Sequence, residues 1–238
     1  AKRGIPQIDT ENFSHKKILI ISDGYDFSKI HRLCSKLPAD VAVIAINRSL
    51  AKWELVGTQC PDSEKRKISY YVVNNPYQEC LSFLNKKNRY YPRCIASSRT
   101  NPEFIEYYIN KMGVVYQYQP TPEEGFSGGT HDAMWTIDDY RNPVCAALGL
   151  AYQFEAEKIA LLGCDESFSD NRPGSVSLEN GLFTYPQHFI SHGVIDGIFY
   201  WLKSQKEVEM SIVDASSGAK YKNAEYINPT ELTAYFEG

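Results

Sequence analysis

The chain of 238 residues is 43% hydrophobic and 23% charged, enough apolar material for one large α/β core and too little charge density for a disordered chain. With 25 Lys plus Arg against 29 Asp plus Glu, the net charge of -4 argues against a protein that holds nucleic acid by bulk phosphate attraction. No apolar run reaches the ~18 residues of a membrane span, and the scattered 15 Gly and 12 Pro exclude collagen-like and low-complexity classes.

Residues 1–15 read as an N-terminal extension, because Ala1 to Gln7 carries charge without the apolar run of a secretory signal. From residue 16, short β-branched or aromatic runs alternate with amphipathic segments of helical spacing. Strands are expected at Lys17 to Ser22, Val41 to Asn47, Ile68 to Asn74, Arg93 to Ser97, Val114 to Gln119, Lys158 to Cys164 and Glu207 to Val213. Helices are expected at 28–37, 49–56, 76–87, 102–112, 143–155 and 185–204, with a C-terminal one at 229–236. Regular alternation implies right-handed crossovers and a doubly wound, mostly parallel, Rossmann-like sheet of about seven strands. One α/β domain over 16–227 is expected, followed by a C-terminal helical segment, 228–238. The strands are apolar on both faces, as befits a sheet covered by helices on both sides.

Four helix starts share one signature: Asn75-Pro76, Asn101-Pro102, Asn142-Pro143 and Asn228-Pro229. Asn is a strong N-cap, and Pro at the first helical position lacks only an N–H that would have been unpaired there. Residues 120–141 and 165–184 are much longer than the ~2–6 residues usual for α/β connections, as functional or disordered loops are; the first, mixing Gly with aromatic and acidic residues, suits an ordered active-site loop. The cysteines Cys34, Cys60, Cys80, Cys94, Cys145 and Cys164 form no Cys-x-x-Cys pair and no Cys/His ligand spacing. They read as reduced thiols of a cytoplasmic protein.

In a parallel sheet the strand carboxyl ends and the amino ends of the following helices share one edge, where ligands bind. That edge would carry Asp23, Gly24, Asp26 and Ser28, then Asn47, Arg48 and Ser49, then Asn74 and Asn75. Ser97, Ser98 and Arg99 continue it, followed by the loop from Gly125 to Asn142 and by Asp165, Glu166 and Ser167. Asn and Ser with Arg favour a polar or phosphorylated ligand. The first turn, Ser22-Asp23-Gly24-Tyr25-Asp26, has neither the Gly-x-Gly-x-x-Gly of a dinucleotide fold nor a P-loop, and no Gly-x-Ser-x-Gly occurs. His188 and His192 have the i, i+4 spacing of metal ligands without the Glu of a His-Glu-x-x-His site.

The helix from Asn142, followed by Ile159-Ala160-Leu161-Leu162-Gly163, Asp165 and Ser167-Phe168, resembles one known family. It is the domain shared by Maf flagellin glycosyltransferases and MptE-type 6-hydroxymethylpterin diphosphokinases, which is related in fold to bacterial sialyltransferases. Ala45-Ile46-Asn47-Arg48, Glu179-Asn180-Gly181 and Asp214 to Lys220 extend the likeness over residues 16–227. The resemblance implies a transferase acting on a nucleotide-activated donor, first of all a glycosyltransferase with a CMP-linked nonulosonic acid. The alternatives are an ATP-dependent diphosphokinase and a non-catalytic nucleotide-sugar or protein-binding module, the last favoured by the unusual first turn. Under the transferase reading Asn142 and Arg141 or Arg99 would hold phosphate, and Asn47, Asn75 and Asp165 the nucleoside, near Gly24 and Ser28. His188 would be the base, with His131 in reserve, since an imidazole near pKa 6.5 accepts a hydroxyl proton at neutral pH. The diphosphokinase would need Mg2+ on Asp23, Asp26 and Asp165. The expected partners are a small-molecule donor and a glycan, protein or pterin acceptor, with homo-oligomerisation left open.

Overall fold

The computed structural model describes residues 15–22, 24, 32–57, 67–84, 91–111, 113–120, 136–137, 139–167, 170–178, 181–204, 210–216 and 218–238. Its strands, in chain order, are β1 (Lys17–Ile21), β2 (Ala42–Ile46), β3 (Tyr70–Val73), β4 (Arg93–Ser97), β5 (Val115–Pro120) and β6 (Thr136–Ile137). They continue with β7 (Lys158–Leu162), β8 (Val176–Ser177), β9 (Phe183–Thr184), β10 (Ser211–Asp214) and β11 (Glu225–Tyr226). The α-helices are α1 (Ser49–Gly57), α2 (Pro102–Asn110), α3 (Pro143–Gln153), α4 (Pro186–Ser204) and α5 (Leu232–Glu237).

Nine strands form one sheet in the order β11-β10-β7-β1-β2-β3-β4-β5-β6, and every pairing in it is parallel. The seven expected strands are its seven longer members; the two-residue β6 and β11 extend its edges. Strand residues alternate between two cores because successive side chains leave opposite faces. Ile18, Ile20, Ile44, Val72 and Ile95 pack with α3 and with Ile195, Phe199 and Leu202 of α4. Leu19, Ile21, Val43, Tyr71 and Val73 pack with Leu50 and Trp53 of α1, Phe104 and Tyr108 of α2, and Leu232 and Phe236 of α5. A strand buried on both sides can carry no polar alternation, which is why these runs are uniformly apolar.

The asparagine caps hold at three of the four Asn-Pro starts. Asn101 accepts from the Glu103 and Phe104 N–H groups at 2.9 and 3.3 Å, Asn142 from Val144 at 2.7 Å, and Asn228 from Thr230 at 3.0 Å. Asn228 also donates its own N–H to Glu231 at 2.7 Å, completing a capping box that leads through a short 3-10 turn into α5. The helix expected at 76–87 is a 3-10 helix, Gln78–Phe83, with residues 85–90 outside the described part. Asn75 accepts the Tyr77 N–H at 2.8 Å, an Asx turn that leaves Tyr77 extended (φ -92, ψ 152), so winding begins only at Gln78. Within the long 165–184 connection, β8 and β9 pair as a small antiparallel ribbon, an element without a periodic signature in the sequence. Cys34, Cys80, Cys94, Cys145 and Cys164 are buried thiols outside any disulfide, and burial pushes the Cys80 thiol up to about 11. Among the described residues no helix is long and apolar enough to cross a membrane.

Candidate functional site

The chain winds outward from β1 through β2 to β6 and then returns to place β7 on the other side of β1, so the topological switch point lies between β1 and β7. There the turn after β1 is stitched to the turn after β7. Ser22 donates its N–H to the Leu162 carbonyl at 3.0 Å, and Gly24 to the Gly163 carbonyl at 3.0 Å. A Cβ at Gly24 would lie 2.2 Å from that same carbonyl oxygen, so this close approach requires glycine.

A cavity of about 740 Å3 opens at this point. Its floor is Ser22, Gly24 and Gly163; one wall is Asn47 and Arg48 after β2 with Lys52 of α1. A second wall is Arg141, Asn142 and Pro143 at the start of α3, and a third is Glu166, Arg172, Tyr185 and His188. Helix α3 reaches this position by running across β1, β2 and β3, where Ala146, Ala147 and Ala151 are fully buried and allow close packing. Its amino end therefore brings the positive end of the helix dipole to the cavity, while Asn142 itself occupies the Val144 and Ala146 N–H groups. Arg48, Lys52, Arg141 and Arg172 outnumber the carboxylates of Glu166 and Asp170, and Asp170 is already paired with Arg172 at 2.9 Å. An acidic protein thus presents a basic cavity, which suits an anionic ligand.

The wall is also where the backbone is strained. Asn47 (φ 44), Arg141 (φ 58) and Glu166 (φ 52) line the cavity in the left-handed region, and Tyr140 (φ 44) precedes Arg141. Of the non-glycine residues described with positive φ, Glu155 (φ 54), beyond the far end of α3, is the one remaining. Such conformations cost about 1–3 kcal/mol each and gather at functional sites. Local bonds hold them: Arg141 donates its N–H to Asp139 at 3.0 Å, and Asp139 accepts from the buried Tyr118 hydroxyl at 2.8 Å.

Asn142 couples two walls. Its oxygen caps α3, and its Nδ2 donates to Glu166 Oε1 at 2.8 Å. Burial raises the Glu166 carboxyl above its ordinary pKa, opposed by the Asn142 hydrogen bond and the nearby His188. The Glu166 carbonyl accepts from Thr184 Oγ1 at 2.8 Å and contacts His188 Nδ1 at 3.3 Å. A carbonyl can only accept, so Nδ1 carries the hydrogen in this contact, and Nε2 is the nitrogen left to exchange a proton. The ring is held edge-on to Tyr185, with centroids 5.7 Å apart.

The structure thus gathers Gly24, Asn47, Arg141, Asn142 and His188 of the expected residues around one cavity. Asn75 forms the exposed Asx turn ahead of the 3-10 helix and Arg99 follows β4; neither lines the cavity. Asp165 is 1% exposed and lies behind it. Its Oδ1 accepts from the Ser167 N–H and hydroxyl at 3.1 and 3.0 Å, and its Oδ2 from the Gly218 N–H at 3.0 Å. These bonds brace the turn after β7 against the turn after β10, and they leave Asp165 poorly placed to hold Mg2+. Asp23, Asp26, Ser28 and His131 lie outside the described residues, among which no group of three metal-ligating side chains occurs. Glu166 and Arg48 were legible as residues of this edge but carried no role; Lys52 and Arg172 had no sequence signal. His192, one turn beyond His188, stacks on Tyr221 at 4.1 Å and is not part of the wall.

A second cavity, of about 510 Å3, lies between α3 and α4 and is lined chiefly by Ile137, Tyr152, Val194, Ile198 and Trp201. It is apolar and holds none of the expected site residues.

No protein-family model matches the chain, and no curated protein is matched by its sequence. Among solved structures it is similar to the Maf glycosyltransferase from Magnetospirillum magneticum AMB-1, with a TM-score of 0.66 at 12% identity. The match covers 92% of this chain and 34% of that one, so the chain spans about a third of the length of that protein and shares its fold over that part.

Proposed function

We propose that the protein is a glycosyltransferase that binds a nucleotide-activated sugar, a CMP-linked nonulosonic acid, in the switch-point cavity. The observation that carries this reading is the basic cavity at the amino end of α3 with His188, bonded through Nδ1, on its wall. The shared fold with a glycosyltransferase supports it. Such a donor carries two anionic groups, the phosphodiester and the sugar carboxylate, which match a wall bearing Arg48, Lys52, Arg141 and Arg172. The cavity volume is in the range of ligand sites, roughly 300–1,000 Å3.

In the reaction the acceptor hydroxyl oxygen bonds to the anomeric carbon as the bond from that carbon to the phosphate oxygen breaks, and CMP leaves with the electron pair. His188 Nε2 takes the hydroxyl proton, while Arg141 and the positive end of the α3 dipole stabilise charge growing on the phosphate. The rest of catalysis is positioning.

The test combines binding with chemistry. At about 100 times its dissociation constant CMP should add ~2.7 kcal/mol of stability, which a thermal-shift panel of CMP, UDP, GDP and ATP resolves. His188→Ala should lower the rate of CMP release from the donor by ~100-fold and abolish the acidic limb of the pH–rate profile. If no nucleotide shifts the melting point, the reading fails; a shift with ATP and Mg2+ alone would favour the diphosphokinase.

A further inference from the structure

The cavity wall carries two acceptors that a phosphate cannot satisfy. Among the described residues, the buried carboxyl or amide oxygens with no hydrogen-bond partner are Asn47 Oδ1, Glu166 Oε2 and Asp214 Oδ2. Two of these three belong to residues that line the cavity. Both residues have left-handed backbone, Asn47 at φ 44, which Asn adopts readily, and Glu166 at φ 52, which is costly for Glu and is held by its surroundings. The other oxygen of Glu166 is held by Asn142 at 2.8 Å, so the carboxylate swings to another partner only by losing that bond, while Thr184 fixes the backbone carbonyl at 2.8 Å. A buried acceptor left empty in so constrained a position is matched by a donor that arrives with the ligand.

We infer that Glu166 is a specificity residue for the nucleoside part of the donor: its free carboxylate oxygen, with the Asn47 side-chain oxygen, accepts hydrogen bonds from ligand hydroxyl or amino groups. This rests on the proposed function of the cavity. The phosphodiester of the donor has no hydrogen to offer and is repelled by a carboxylate, whereas Arg48, Lys52, Arg141 and the α3 dipole attract it. The basic groups therefore take the anion, and Glu166 and Asn47 take a ribose hydroxyl or the amino group of cytosine. Both sources supply the same chemistry, a neutral O–H or N–H donor facing an acceptor. A site built to accept such a hydrogen bond discriminates strongly against an analogue that lacks it, because the acceptor is then desolvated and unpaired.

The experiment measures calorimetric affinities of the full chain for CMP, 2'-deoxy-CMP, 3'-deoxy-CMP, UMP and inorganic phosphate, with wild type and Glu166→Gln side by side. Wild type is expected to bind CMP roughly tenfold to a hundredfold more tightly than at least one analogue. Weak binding of a deoxy analogue identifies a hydroxyl as the donor, and weak binding of UMP identifies the amino group. Glu166→Gln keeps an oxygen for Asn142 and replaces the free acceptor by an amide donor. It is expected to lose most of that discrimination and, with a repelling charge removed, to bind inorganic phosphate no more weakly than wild type. Equal affinities of wild type for CMP and all the analogues would overturn the inference while leaving the nucleotide reading standing, as would a folded Glu166→Gln that discriminates like wild type. Failure of wild type to bind CMP at all would overturn the proposed function first. Should Glu166→Gln not fold, the analogue series on wild type decides alone.

Discussion

A methyl group at Gly24 has nowhere to go. Built on the present backbone, it would stand 2.2 Å from the Gly163 carbonyl oxygen, 2.8 Å from its carbon and 3.1 Å from its Cα. All three are backbone atoms of the turn after β7, so no rotamer change relieves the overlap. Reaching even 3.0 Å from the oxygen needs a retreat of about 0.8 Å, which strains the Gly24 to Gly163 hydrogen bond of 3.0 Å. Losing that bond costs about 0.5–1.5 kcal/mol and overpacking typically about 1–3 kcal/mol more, so Gly24→Ala should destabilise by ~2–4 kcal/mol. At about 2–4 °C per kcal/mol for a chain of this size, the melting temperature should fall by roughly 5–15 °C. Gly197→Ala is the internal control. That glycine lies inside α4 with nothing within 4 Å of its added Cβ, so the change should be neutral or stabilise by ~0.4–1 kcal/mol. Melting curves of both variants without ligand test the reasoning. A Gly24→Ala protein within a degree of wild type would show that the two turns are not held against each other as described.

Asp165→Asn must turn its amide group toward either the two Ser167 donors or the Gly218 N–H, so a loss of ~1–3 kcal/mol by urea titration is expected, with CMP affinity little changed. Wild-type stability together with weakened CMP binding would move Asp165 from brace to ligand contact. Burial, reinforced by Asp165, raises the Asp214 carboxyl from 3.8 to about 6. The folded protein therefore holds a proton there that the unfolded chain has already lost, and this contribution to stability declines as pH rises from about 4 to 6 and is gone above. Relative to Asp214→Asn, wild type should lose on the order of 2–3 kcal/mol across that window in urea titrations at successive pH values. A difference independent of pH would refute the assignment.

What the sequence determined by itself is the frame. Uniformly apolar runs such as Ile18 to Ile21 and Val43 to Ile46 can exist only where both faces are covered, and their alternation with helical segments dictates a parallel, doubly wound sheet. Asn101, Asn142 and Asn228 announce their helices through local chemistry that needs no tertiary context. The carboxyl edge, with Asn47, Asn142 and His188 upon it, follows from the same winding. The tertiary structure decided which residues of that edge meet. Asn75 and Arg99 follow β3 and β4 as Asn47 follows β2, yet only Asn47 faces the cavity, because α3 delivers its amino end to the gap at β1, β2 and β7. Adjacent residues likewise part company: Asp165 is taken up bracing Ser167 and Gly218, while Glu166, at φ 52, stands on the cavity wall. Backbone handedness at a non-glycine residue, strands of two residues, and the presence of Lys52 and Arg172 around one cavity all depend on contacts distant in the chain. A local sequence window holds no record of them.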